Sequence, residues 1–277
     1  MNAKVRKQIN HAIVFSLCVI IAVITGFPFV FLLINSFKSM PEYLMNIWRL
    51  PSELFLGNYI RVLQPDFLRY FVNSVMVSTA SVLIIVLVSS MIAFAFAKME
   101  FRGKTAIYFF IIAGMMIPVH TTLIPTFTLL SSLGLTDSLV GLIGPYVSYN
   151  IPVSVFILTQ FFKEIPKEIE EAAIIDGCET IDIFRKIILP LSGPAISTVV
   201  VYTSLHIWNE FINANVLITT AANKTLPLGL RDFYGSQTIN IPAILTAILV
   251  GSLPVIIVYF CAQEKVVNGL TQGAVKG

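Results

Sequence analysis

Six stretches of the chain are almost continuously apolar, at 12–36, 71–97, 105–130, 138–162, 191–219 and 241–261. Each is longer than the about 20 residues a helix needs to cross about 30 Å of hydrocarbon. Strands of a membrane barrel would instead appear as short segments of alternating polarity. In lipid, a helix also satisfies its own backbone groups. The pattern predicts an all-α membrane protein with six transmembrane helices. Gly26 and Pro28, Pro118 and Pro125, Gly144, Pro145 and Pro152, and Pro254 interrupt the stretches. Proline frees backbone carbonyls and kinks a helix, which suits a path that opens and closes. The plainer reading is that proline is common in membrane helices.

Composition agrees: 12% of residues are charged, against about 25% in a soluble domain. Lys4, Arg6 and Lys7 before the first stretch resemble the start of a signal peptide, but the stretch is too long and no small-x-small cleavage site follows near Lys38. It reads as a retained first span. With the amino terminus inside, Lys38, Arg49, Arg61, Arg69, Lys224 and Arg231 lie outside, leaving twelve of the eighteen basic residues within. The positive-inside rule therefore places both termini in the cytoplasm. The net charge of +3 thus speaks of orientation in the bilayer and not of nucleic acid. Cys18, Cys178 and Cys261 show no disulfide or metal spacing.

One inner loop, after the fourth stretch, is long, charged and patterned. Pro166 opens a short helix with Ile165, Ile169, Ala172 and Ala173 on one face and Lys167, Glu168, Glu170 and Glu171 on the other. Asp176-Gly177 marks a turn, Thr180 can cap a second helix, and Ile181, Ile183, Phe184, Ile187 and Ile188 form its apolar arc before Pro190 stops it. Small residues allow close approach to a partner, the glutamates give a charged rim, and Gly177 allows a sharp reversal. A helix resting on the lipid surface would favour Lys, Arg and aromatics instead.

Within the spans the notable carboxylate is Glu210, beside Trp208, Asn209 and Asn213. A charge in hydrocarbon is costly and points to function. These four residues offer hydrogen bonds and a stacking surface and could line a translocation path for a polar solute. The alternative is that they sit at the outer water boundary or pack against a partner subunit. His11, His120 and His206 show no ligand spacing, and no nucleophile with a paired base is evident, so neither a metal nor a catalytic site is assigned. Gly103-Lys104-Thr105 lacks the glycine and the strand of a phosphate loop.

The spacing Glu171-Ala172-Ala173, Gly177, Ile187, Leu189-Pro190 resembles the cytoplasmic loop of binding-protein-dependent ABC importer permeases. Asn35-Ser36-Phe37-Lys38, Asn73-Ser74, Met116-Ile117-Pro118, Ile124-Pro125, Leu133-Gly134-Leu135, Ile165-Pro166, Trp208-Asn209-Glu210-Phe211 and the tail from Gly269 are similar to the carbohydrate branch of that family, the maltose-transporter type. The resemblance implies the type I ABC importer permease fold. It also implies an ATPase-coupling loop that includes Glu170, Glu171, Ala172, Ala173, Asp176, Gly177, Ile187, Leu189 and Pro190. The expected organisation is a tail, first span and outer loop over 1–69, a transmembrane domain over 70–262 with its coupling loop at about 163–190, and a cytoplasmic tail over 263–277.

The resemblance further implies a second permease subunit, two copies of a cytoplasmic ATPase that carries ATP and Mg, and an extracytoplasmic sugar-binding protein. The chain itself would be no enzyme, and the bound sugar could be held mainly by the partner permease. The rival reading is an ATP-independent secondary transporter or channel. Such proteins often carry charges at the midplane and paired discontinuous helices in two repeated halves.

Overall fold

The computed structural model describes residues 3–234 and 240–274. All regular structure among them is helical. The helices are α1 (Ala3–Ser36), α2 (Met40–Met45), α3 (Gly57–Val62), α4 (Pro65–Lys98), α5 (Lys104–Ala113), α6 (Val119–Ser132) and α7 (Leu139–Glu164). They continue with α8 (Lys167–Ile175), α9 (Thr180–Asp182), α10 (Leu189–Leu191), α11 (Gly193–Trp208), α12 (Ile212–Leu217), α13 (Leu226–Tyr234) and α14 (Ile241–Ala274). Residues 275–277 of the expected tail lie outside the described residues.

Four helices are long and apolar enough to span a bilayer unbroken: His11–Ser36 of α1, α4, α7 and Ile241–Gln263 of α14. The third expected span is a bent pair, and the fifth contributes α11 to a second bent pair whose other half, Thr180–Leu191, falls in the expected loop, so six spans are reached only when each pair counts as one. In the third, Lys104–Met116 and Val119–Ser132 meet at 100°. Ile117 is extended (φ −81°, ψ 114°) because the Pro118 ring excludes the helical conformation from the residue before it. In the second pair, Thr180–Leu191 and Gly193–Trp208 meet at 74°. The stretch 191–219 is therefore not one continuous helix, since α11 ends at Trp208 and α12 follows a short break.

The chain packs as two units, 1–67 with 230–252 and 68–229 with 253–277. In the first, the Asn35-Ser36-Phe37-Lys38 segment is a structural knot. Asn58 donates to the carbonyls of Ser36 and Lys38 at 2.8 Å each, and Tyr59 Oη meets Ser36 Oγ at 2.8 Å. Lys38 is fully buried and donates to the Asn46 and Ile47 carbonyls at 3.2 and 2.9 Å. A buried ammonium needs such acceptors to offset its lost hydration.

In the second unit an apolar core joins α4, α7, the 183–188 segment and α11 through Ile85, Leu142, Leu158, Phe162, Ile188 and Val199. Asn73 donates to the carbonyls of Ala222 and Lys224 at 2.8 and 2.9 Å, and Ser74 Oγ accepts from Leu226 N at 2.8 Å. α6 ends on Gly134 (φ +67°), where Gly134 N bonds the Ser131 carbonyl and Leu135 N the Leu130 carbonyl. That pair of bonds needs a left-handed residue between them, which glycine adopts without penalty.

Candidate functional site

Two features of the second unit carry chemistry, and α11 connects them. The first is the loop helix α8. Lys98, the last residue of α4, donates to the Ile165 carbonyl at 2.7 Å and forms an ion pair with Glu170. Their side chains are 5% and 15% exposed, so the pair fastens the helix to the bundle away from bulk water. Ala173 and Ile165 pack inward.

The far end closes on its own backbone. Asp176 N bonds Ala172 O at 3.0 Å, Gly177 N bonds Ile174 O at 3.0 Å, and Cys178 N bonds Ala173 O at 2.9 Å. Gly177 has φ +83°, and no atom lies within 4 Å of where a Cβ would stand, so backbone conformation alone demands glycine. Cys178 packs against the core at this closure.

The expected faces of α8 need correction. Glu170 belongs to the inward side, while Ile169 is 40% exposed and Ala172 is also exposed. Helical geometry places the exposed Glu168, Glu171, Ala172 and Ile175 on one outward face, so the surface offered to a partner mixes carboxylates with apolar groups. The second helix also differs. Thr180 is its first residue and Glu179 holds the cap position without a side-chain bond. Ile181 is 66% exposed, whereas Ile183 and Ile188 are buried and Phe184 meets Phe94 at a tilt of 47° with ring centroids 5.1 Å apart.

Residues Ile183–Ile188 form a π-helical turn that leads into α10. The helical run ends at Leu191, one residue after Pro190. The chain turns at Ser192, whose Oγ donates to the Ile188 carbonyl at 2.6 Å. Asp182 and Lys186 pair at 2.8 Å on the exposed side.

The second feature is a cavity of about 690 Å³ at the other end of α11, within the about 300–1,000 Å³ of small-molecule sites. Tyr146, Tyr149 and Asn150 reach it from α7, Tyr202 and His206 from α11, and His120 from just beyond the α5–α6 bend. Asn209, Glu210 and Asn213 close it. Glu210 does not sit inside a spanning helix: it follows the end of α11, and its carboxylate caps α12. Oε1 accepts from Asn213 N at 2.7 Å and Asn213 Nδ2 at 3.0 Å, and Oε2 accepts from Ala214 N at 3.3 Å. Such bonds to unpaired helix N–H groups stabilise the carboxylate in place.

Of the four residues expected along a translocation path, three thus meet in one cavity and Trp208 does not. It is buried, faces a separate apolar cavity of about 340 Å³ with Val75, Val200 and Pro254, and meets Phe71 edge-on at 5.7 Å. Lys98, the three tyrosines and the two cavity histidines lay outside the sequence assignment. Tyr146 and Asn150, and Tyr202 and His206, are four apart on their helices, a spacing in apolar spans that signals one shared face. Among the described residues no cluster of histidine, cysteine and carboxylate side chains could hold a metal.

Broken spans, a fastened helical loop and a cavity linked to it by one helix define a multi-pass membrane component of a transport system. The chain belongs to the family of binding-protein-dependent transport system inner membrane components, whose model matches residues 85–270. It is 45% identical to an ABC transporter permease protein of Caldicellulosiruptor sp., over 92% of this chain and 93% of that one. It is 32% identical to the trehalose/maltose transport system permease protein of Thermococcus litoralis, over 94% of each. It is also 32% identical to the diacetylchitobiose uptake system permease protein of Streptomyces coelicolor, over 96% and 87%. The fold matches a chain of a bacterial ABC transporter involved in the import of alginate, with TM-score 0.80 and 23% identity over 94% of this chain and 97% of that one.

Proposed function

We propose that this chain is the membrane-spanning permease subunit of an ATP-driven sugar importer, and that α8 couples it to a partner ATPase. The observation that carries this reading is the fastened loop helix with its outward face of Glu168, Glu171, Ala172 and Ile175. The sugar assignment is supported by relatives named for trehalose/maltose and diacetylchitobiose. In this reading both termini are cytoplasmic, a second and different permease chain completes the path, and two ATPase copies hold ATP and Mg. An extracytoplasmic protein delivers the sugar. A solved relative of the fold was captured with an alginate pentasaccharide-bound periplasmic protein, at TM-score 0.62.

Force applied to α8 passes through the π-helical turn and the 74° bend into α11, whose far end forms a wall of the cavity. A rigid helix between two bistable contacts carries such a displacement without new covalent chemistry. The test is the assembled transporter in proteoliposomes. ATP hydrolysis rises when the binding protein is loaded with maltose, trehalose or diacetylchitobiose, and Ala172→Cys cross-links to the ATPase in a nucleotide-dependent way. An inserted, folded protein that gives neither response refutes the importer reading and favours transport without ATP.

A further inference from the structure

The segment between α1 and α3 holds apolar side chains outward on a backbone that is tied down. Leu44, Met45, Trp48, Leu50, Leu54 and Leu56 are each between 57% and 87% exposed. Single apolar side chains are ordinary on a protein surface, but six within thirteen residues form a patch of the kind that contacts a membrane or another protein. The exposure does not come from an untied loop. Lys38 holds the Asn46 and Ile47 carbonyls, and Asn46 Oδ1 accepts from Trp48 N at 3.0 Å and Arg49 N at 3.1 Å. Glu42 Oε1 accepts from Ser52 N at 2.6 Å, and Phe55 N donates to the Phe37 carbonyl at 2.9 Å. Backbone groups paired in this way can leave water at little cost.

The rings fix the depth of the segment. Trp48 packs on Phe27 and Phe31 of α1, with ring centroids 6.1 and 5.7 Å apart. Those phenylalanines precede the last residue of α1 by nine and five positions, so the chain folds back about 8–13 Å along the helix. The span His11–Ser36 has 26 residues, about 39 Å of helix against about 30 Å of hydrocarbon. Asn35 and Ser36 put the surplus at this end, and the hydrocarbon boundary then falls near Phe31, level with Trp48. Tryptophan is favoured at such a boundary. Arg49 beside it is exposed, with no ion-pair partner among the described residues.

We propose that residues 44–56 lie in the headgroup boundary of the leaflet reached by the carboxyl end of α1, with Trp48 at the edge of the hydrocarbon and Arg49 on a phospholipid phosphate. That leaflet is the outer one in the orientation proposed above. A soluble partner that docks and leaves would meet a surface with more polar groups. Burial against a second protein would strip Arg49 of water without a counter-charge. A lipid phosphate supplies that charge, and the arginine stem can lie along apolar surface while its head reaches it. The segment thus sets the depth of α1 in the bilayer.

The experiment uses the assembled transporter in nanodiscs of phosphatidylcholine and phosphatidylglycerol, with the other accessible cysteines replaced and a nitroxide on Met45→Cys. Met45 is 87% exposed, so the label displaces no packing. Its collisions with oxygen, which concentrates in lipid, are compared with those of a water-soluble nickel chelate. Oxygen is expected to dominate, at a depth within about 10 Å of the headgroup boundary. Dominance of the nickel chelate would put the segment in water and overturn the proposal. Exclusion of both reagents would put it against a protein chain and overturn it equally. Arg49→Glu sets a carboxylate against the phosphate, so the oxygen-to-nickel collision ratio falls several-fold, while Arg49→Lys keeps it. An unchanged ratio in Arg49→Glu overturns the phosphate contact. The readout contains no transport step, so its outcome is independent of the sugar-importer reading.

Discussion

At its loop end, α11 is preceded by a segment that closes on itself: the ion pair from Lys98, the three backbone bonds around Gly177 and the buried Ala173 hold α8 in one place. At its cavity end the same helix leads into a region where Glu210 caps α12 and the stacked rings of Tyr202 and His206 are exposed. The difference separates two tasks. A coupling element must move as one body, so its polar groups are satisfied internally and only its outer face is left for a partner. A cavity wall instead keeps part of its side-chain surface uncovered, as Tyr202, His206 and Asn209 do. Exposure alone would not distinguish the two ends, because exposed apolar side chains occur at both.

The comparison can be broken most directly at Lys98. Lys98→Met leaves the Glu170 carboxylate buried without its cation and destabilises the loop by about 3 kcal/mol. Thermal unfolding in nanodiscs measures this, with loss of uptake accompanying it. The double variant Lys98→Met, Glu170→Met recovers most of the stability, since an apolar pair replaces the charged one. An unshifted melting temperature in Lys98→Met would show that α8 is not fastened as described.

A smaller effect is expected at Gly177. Ala there must adopt φ +83°, at a cost of about 1–2 kcal/mol, while Asn, which tolerates that region, costs less. Gly177→Pro cannot adopt it at all, because the ring holds φ near −65°, and uptake is abolished although the protein still inserts. Protease nicking of the loop in membranes ranks the three variants. Equal protection of Ala, Asn and Pro would remove the glycine argument.

The smallest effect sharpens the comparison at a third place, the connection between α6 and α7. Asp137 accepts from Thr220 N at 3.0 Å and Thr219 N at 2.9 Å, and these backbone bonds hold its carboxyl below the ordinary range. Its stabilisation is present above the unfolded value of about 3.9 and is lost as pH falls through the depressed folded value. Asp137→Asn therefore lowers the melting temperature by about 2 °C or less at pH 7. The gap to the unaltered chain closes below pH 4. A gap that persists into strong acid would exclude these bonds as its cause.

Much of the loop was legible because its signals are local. Pro166, Asp176-Gly177 and the spacing to Pro190 act within one or two turns, and the structure puts a helix, a reversal and a second helix there. The inward turn of Glu170 was not legible, since it depends on Lys98, seventy-two residues earlier in the chain. Trp208 and Asn209 are neighbours that part company because α11 ends between them. No periodicity in 191–219 announces that end.

The sequence by itself determined that the chain is helical and lies in a membrane, because long uncharged stretches have no other way to satisfy their backbone in lipid. It also determined where the loop turns, through residue types with narrow backbone preferences. Only the tertiary structure decided which polar side chains share a space. His120, Tyr146 and His206 meet in one cavity because the bend at Pro118 and the packing of α7 with α11 bring them together. Hydrophobic burial is non-directional, so the apolar pattern specifies that spans pack without specifying which face meets which.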